Sequence, residues 1–349
     1  LIGTTDKKGN VYKYAYDGRG NLLSETDAEW NTISYVYDSS GNLLSEADLN
    51  GNKTSYTYDS NGNQTSKTVI RKIGEKTETL TTTYLYDSKN RIVKTINPDL
   101  SEITIEYDEN GRQSAVVSSG GVKIEYEYDI FGNLIKDKYS DGTEESYTYD
   151  KEGRKISLTN RDGLTTYYEY DKAGRQTKVI YPDGTSTQTI YNANGQVWKK
   201  IDEKGNITEY IYDKAGRNIE VKDALGYITY YEYDGLGNKV KMTDAKGNST
   251  SYSYDANGML EKIIYPDGTY ISYTYDLNLN KKSETDQEGK TTTYDYDNNG
   301  NLIKVTDALG NVTEYVYDSI GNMILQKDSN GNETKFEYDN MGRKIKRIL

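Results

Sequence analysis

The stretch "YVYDSSGNLL" (Tyr35–Leu44) decides the fold. Tyr35 and Tyr37 alternate with Val36, as the two-residue period of a β-strand requires. Asp38 and Gly41 stand at the first and fourth positions of a type I turn. A left-handed glycine there closes a hairpin through a bulge. Leu43 and Leu44 then begin a return strand. The ten residues therefore read as a strand, a turn and the start of a second strand.

Near copies recur along the whole chain. The second tyrosine falls at Tyr16, Tyr37, Tyr58, Tyr86, Tyr107, Tyr128 and onward to Tyr338. Its spacing is 21 residues except between Tyr58 and Tyr86, where it is 28, so there are sixteen units and one seven-residue insertion. Such regularity predicts a single array over residues 1–349 with no domain boundary. Asp follows this tyrosine in fifteen units, with Asn192 the exception; Gly fills the first-turn slot in fourteen, with Asn90 and Leu279 in its place elsewhere. Asn tolerates positive φ, so Asn90 fits the rule, whereas Leu279 has no local explanation.

A second turn signal lies half a repeat away, as "DKKGN", "DLNGN" and "DALGN", or as "YPDGT" at Tyr181 and Tyr265. Gly occupies this slot in thirteen units, and Trp30, Thr79 and Leu100 are the exceptions. Two turns per 21 residues leave two segments of about six residues, which suits strands and not helices. In "TEYIYD", Thr208, Tyr210 and Tyr212 share one face before the Asp213–Gly216 turn. The repeat positions singled out are thus Tyr35, Tyr37, Asp38, Gly41 and Asn42, with Tyr210, Tyr212, Asp213 and Gly216 as their counterparts. The fold class is all-β: an antiparallel hairpin meander of about 32 strands. At about 4.8 Å per strand such a strip is roughly 150 Å long. It is too long to stay open and flat, so the expectation is a spiral, tube or hollow shell one sheet thick. In the insertion, "KIGEK" (Lys72–Lys76) predicts a replacement turn, and the longer hairpin reads most simply as a surface elongation, with a docking element at the rim or mouth of a shell as the alternative.

Composition narrows the function. The chain has 37 Tyr, 32 Gly, no His and no Cys. Without His and Cys, histidine-based triads, thiol nucleophiles and thiolate zinc sites are excluded. Carboxylates recur at turns in every unit instead of forming one special pair for glycoside hydrolysis, so a non-enzymatic chain is expected, with no catalytic, metal or cofactor residues. "DSNGN" at Asp59–Asn63 places its Gly fourth, not sixth as in a calcium-binding EF-hand loop, and turn chemistry accounts for it. A net charge of −12 without basic clusters argues against nucleic acid, and no apolar run approaches a membrane span. The chain opens at Leu1 midway through a unit and stops before a turn, which reads as a fragment of a longer protein with strand edges able to associate end to end.

The run Y-x-Y-D-x-x-G-N-L at 21-residue spacing resembles the YD repeats of the Rhs (rearrangement hotspot) family, known from toxin complexes, wall-associated bacterial proteins and teneurins. The resemblance implies a β-hairpin strip that spirals into a shell. In toxin members that shell encloses a C-terminal toxin domain; in teneurins it belongs to an adhesion receptor. It implies as partners the rest of a parent chain and an encapsulated toxin, and a secreted or cell-surface location. No aspartate-based self-cleavage motif of the DPxG type occurs within residues 1–349. The alternative is an adhesin module that stacks tyrosines on cell-wall or host glycans. The Tyr-x-Tyr-Asp spacing differs from the adjacent aromatic pairs of choline- and glycan-binding arrays.

Overall fold

The computed structural model describes residues 2–349. Every regular element among them is a β-strand, numbered β1 (Ile2–Thr5) to β33 (Lys344–Ile348) in chain order. Each repeat supplies one hairpin. In the opening stretch, β4 (Thr32–Tyr37) pairs antiparallel with β5 (Leu43–Ala47), which pairs with β6 (Lys53–Tyr58). Neighbours in sequence are neighbours in the sheet, so the chain is the expected meander, with 33 strands.

The two turns of a unit differ in register. Across the first turn, Val36 pairs with Ser45 but Tyr37 with Leu43, a one-residue bulge. The same shift recurs at Ile211/Tyr212. Its origin is the left-handed glycine of the type I turn: Gly41 has φ +91° and donates its N–H to the Asp38 carbonyl at 3.2 Å. The predicted turn chemistry therefore holds. Across the second turn Ala47 pairs with Lys53 and Glu46 with Thr54, with no shift.

Side chains alternate as the period predicts. On β4, Ile33, Tyr35 and Tyr37 are half-buried while Thr32, Ser34 and Val36 are exposed. A single sheet has no second layer to cover it, so full burial is rare. Among the described residues only Ala28, Leu80, Ala115 and Phe336 are fully buried apolar side chains. Half-buried tyrosines carry the packing in their place.

The chain divides into two compact units. One is split in sequence, Leu1–Glu102 with Ser253–Leu349; the other is the continuous stretch Ile103–Tyr252. The single array is thus one meander in strand order but two units in packing.

One of the three slots that lack glycine needs correction. Trp30 and Leu100 do occupy the left-handed turn position, with φ of +69° and +65°. Thr79 does not: it lies inside β8 (Lys76–Tyr86), opposite Ile70 of β7 (Gln64–Ile73). The turn there is Gly74–Glu75, between Ile73 and Lys76, with Gly74 at φ +58°. "KIGEK" is the replacement turn, and the insertion extends both strands of one hairpin.

Candidate functional site: the turn rims and the seam they form

Each aspartate builds its own turn. Asp38 Oδ1 accepts the N–H groups of Ser40 and Asn42, and its Oδ2 accepts Asn42 Nδ2 at 2.9 Å. These hydrogen bonds hold the carboxyl below its ordinary range, the Asn42 side chain contributing most. At Asn192, Oδ1 accepts from the backbone of Asn194 and Gln196 in the same way, but Nδ2 now donates to Gln196 Oε1 at 3.0 Å. The one non-aspartate is therefore matched by an acceptor where the Asn and Arg units carry a donor. These contacts use the oxygens that suggested a calcium loop.

The residue after the glycine is the part that sequence reasoning left without a role. Where it is Asn it clamps its own turn. At Arg112, Arg154 and Arg217 it does three things. Arg217 Nε donates to Asp213 Oδ2 at 2.7 Å, its Nη1 donates to the carbonyl of Asp234 in the next first turn at 2.8 Å, and its guanidinium lies 5.2 Å from the Tyr233 ring centroid. Arg112 and Arg154 repeat the pattern on Asp129 with Tyr128, and on Asp171 with Tyr170. Asp87, clamped by Arg91, is lowered to about 2. The legible signal was the alternation of Asn and Arg after Gly.

The second tyrosine stitches hairpin to hairpin. Tyr212 Oη donates to the Val197 carbonyl at 2.9 Å, and Tyr58 Oη to the Leu43 carbonyl at 2.9 Å. Leu43 is the residue paired with Tyr37 at the preceding bulge. Each phenol thus satisfies a carbonyl where the previous hairpin departs from regular pairing. The first tyrosine varies more. Tyr35 donates to Glu25 at 2.6 Å, Tyr56 to Glu46 at 2.7 Å and Tyr147 to Asp137 at 2.7 Å. Burial, reinforced by these carboxylates, raises all three phenols far above their ordinary range. Tyr210 sits opposite Val221 on the same face as Tyr212.

Within the split unit, turn rims from distant parts of the chain clasp each other. Asn257, Asn278 and Asn299 are the third residues of successive first turns. They donate to Asp6, Asp27 and Asp48, the first residues of successive second turns, at 2.8, 2.9 and 2.8 Å. Each pair is 251 residues apart in sequence. The clasp is reciprocal in two rungs: Lys8 forms an ion pair with Asp255, and Asn50 Nδ2 donates to Asp297 at 3.2 Å. In the middle rung the equivalent residue is Glu29. Burial and the carboxylates of Asp276 and Asp27 raise its carboxyl above the usual range.

The insertion continues this seam. Lys72 N–H donates to Ser319 Oγ at 2.6 Å, and Ser319 Oγ donates to the Ile70 carbonyl at 2.9 Å. Arg71, only 1% exposed, is paired with Glu78 and donates to the Asp339 carbonyl at 2.8 Å. A last rung joins Arg343 to Asp99 at 3.0 Å, now 244 residues apart. The long hairpin is therefore a docking element, not a tolerated surface elongation. Three of the four non-glycine residues with positive φ also belong to seam turns. Trp30 and Leu279 lie in turns of one rung, and Leu100 in the last. Strained backbone persists where surrounding contacts over-determine it.

Comparison with known proteins follows the same lines. The profile described as Teneurin YD-shell matches residues 3–100 and 95–201, together more than half of the chain. The profile described as RHS Repeat matches residues 212–249, 233–270, 275–312 and 296–326. No curated protein matches the chain significantly. Among solved structures, TcdB2-TccC3 aligns over 98% of this chain and 20% of its own, at TM-score 0.60 and 18% identity. A Photorhabdus luminescens Tc holotoxin pore carrying a TccC3 mutation aligns over 98% of this chain and 19% of its own, at TM-score 0.58 and 18% identity. The chain spans about a fifth of the length of these proteins. The hairpin repeat, its aspartate turns and the matched profiles lead to one conclusion: the chain belongs to the teneurin YD-shell and RHS-repeat family.

Proposed function

We propose that this chain is a structural wall segment of a longer YD-repeat protein, forming part of a shell that encloses or displays another polypeptide. The seam carries the reading. A sheet whose distant strips clasp rim to rim, rung by rung at the repeat spacing, is built to continue as a wall. The repeated carboxylates and tyrosines are used in turns and hairpin stitching, which is a structural role. One of the similar solved structures is described as TcdB2-TccC3 without its hypervariable C-terminal region, so in that protein the shell accompanies a separable part. By analogy, the partners here are the remainder of a parent chain and a C-terminal passenger, and the location is secreted or cell-surface. The test is limited proteolysis of the full-length protein that carries this array. Enclosure predicts that the passenger resists protease until the seam is opened by Arg71→Met together with Ser319→Ala. A passenger digested at the same rate with the seam intact rejects enclosure.

A second reading has its own observation. Tyr167, Tyr230 and Trp198 are 52%, 46% and 45% exposed, large rings available for stacking on sugars. Glycan-array binding that disappears on Tyr167→Ala and Tyr230→Ala supports an adhesin; a blank array removes it.

A further inference from the structure

Three of the four asparagines that clasp the seam stand directly before glycine: Asn50-Gly51, Asn257-Gly258 and Asn299-Gly300. The fourth, Asn278, stands before Leu279. Asparagine is thermolabile. A following glycine has no side chain to obstruct its nitrogen, which can attack the asparagine's own side-chain carbon. The bond from nitrogen to Cγ forms, the Cγ–Nδ2 bond breaks, and Nδ2 leaves as ammonia with the proton that the backbone nitrogen gives up. Water then opens the cyclic imide at either carbonyl and leaves Asp or isoaspartate. In the closed seam, Nδ2 of Asn257 and of Asn299 is tied across to Asp6 and Asp48 at 2.8 Å, which draws Cγ away from the backbone of its own turn. Asn110-Gly111, Asn194-Gly195 and Asn330-Gly331 supply the contrast. Their turns are alike: Gly111, Gly195 and Gly331 donate N–H to the carbonyl of the turn's first residue at 3.0 Å, as Gly300 does. Their asparagine side chains are exposed and, among the described residues, make no hydrogen bond. The side-chain amide is what differs.

We propose that Asn257-Gly258 and Asn299-Gly300 are latent deamidation sites, shielded while the seam is closed and converted once it opens. Conversion makes the opening one-way. Each new carboxylate stands where an amide had donated, opposite Asp6 or Asp48, and like charges directly opposed repel. Isoaspartate also adds a backbone carbon just before the left-handed glycine, so the turn no longer presents its rim in register. The middle rung is exempt, because the side chain of Leu279 crowds the nitrogen that would attack Asn278. The residue that violates the turn's preference for glycine is thus the one that keeps its rung chemically stable. Asn50, whose bond to Asp297 is longer at 3.2 Å, is shielded less than Asn257 and Asn299. This latch does not depend on what the wall encloses.

The test ages the unmodified chain at neutral pH and reads Asp and isoaspartate at each site by peptide mass mapping. In the folded chain Asn110, Asn194 and Asn330 should convert first. Asn257 and Asn299 should convert about tenfold more slowly, the effect of a hydrogen bond to a carboxylate that must break beforehand. In urea these five sites should convert at like rates, with Asn278 slow in both conditions. Asn257→Asp together with Asn299→Asp installs the product. It should speed hydrogen exchange at the Lys72 N–H, which Ser319 holds across the seam. Asn330→Asp, at an unclasped turn, should leave that exchange unchanged. Equal conversion of clasped and exposed sites in the folded chain overturns the proposal. So does protection of Asn257 and Asn299 that persists in urea, or a product variant whose Lys72 exchanges as slowly as in the unmodified chain.

Discussion

Two sets of first turns, one in each packing unit, are held in different ways. At the seam of the split unit, Asn280, Asn301 and Asn322 each clamp only their own aspartate. In the continuous unit, Arg112, Arg154 and Arg217 clamp their own aspartate and also the next turn, with a tyrosine ring beneath the guanidinium. The planar fork of Arg makes this reach possible, and Lys lacks it. The seam supplies the second anchor to the first set of turns, and arginine supplies it to the second. A rim can be fixed by a neighbour across the seam or by a neighbour along the strip.

The comparison can be broken most strongly at Arg71. Arg71→Met removes a buried cation from Glu78 and the Asp339 carbonyl, with an expected cost of about 3 kcal/mol. Hydrogen exchange should show the loss in the amides of β7, β8 and the Asp339 turn, with the continuous unit unchanged. Loss spread evenly over both units refutes the division of anchoring.

Next comes the arginine slot. Arg217→Ala should cost about 1–2 kcal/mol, since it frees Asp213, the Asp234 carbonyl and a ring contact, whereas Asn301→Ala should cost about 0.5 kcal/mol. Arg217→Lys should recover less than half of the loss, because an ammonium group cannot reach both turns. Equal costs at the two positions, measured by urea unfolding, sink the comparison.

Acid sharpens the comparison in both units. The turn aspartates, among them Asp38, Asp59, Asp150 and Asp171, have carboxyls held below the ordinary range by their clamps, and Asp87 lies at about 2. A depressed folded value means stability that is present above the unfolded value of about 3.9 and lost as pH falls towards the folded one. Unfolding midpoints should therefore hold above pH ~4 and decline between ~4 and ~2. Added salt should weaken the arginine-clamped turns more than the asparagine-clamped ones. A midpoint that keeps rising as pH falls below 4 contradicts this assignment.

The smallest effect is a gain. Glu29 is the mismatched residue of the seam, facing Asp276 where Asn50 faces Asp297. Glu29→Asn recreates the matched rung and should stabilise the split unit by about 0.5 kcal/mol near neutral pH. The benefit should shrink in acid, where Glu29 itself is neutral.

Most of the fold is legible in the sequence because it is local. Tyr37, Asp38 and Gly41 set strand end, turn and bulge within five residues, and sixteen repetitions remove the ambiguity of any one. The seam is not legible, because an asparagine that clasps Asp48 from 251 residues away reads like any turn asparagine. What the sequence does carry is a conflict. Trp30, Leu100 and Leu279 stand where the turn wants glycine, and all three prove to lie at seam turns. Local misfit marked tertiary contact there. Thr79 misled for the opposite reason: extending the frame of 21 residues through an insertion placed a turn inside a strand.

The odd hairpin β7–β8 has a consequence for alignment. Two strips of identical links face a ruler's ambiguity: shifted by one mark, every rung still finds a partner of the same kind. The step from 251 to 244 residues across the hairpin is a single uneven mark on one ruler, and Arg71 with Ser319 reads it. A one-unit displacement puts Asn298 or Asn340 where Ser319 stands, and the Lys72 N–H and Ile70 carbonyl lose its hydroxyl. One irregular link among sixteen thus selects a single alignment from many that the regular links alone treat as equal.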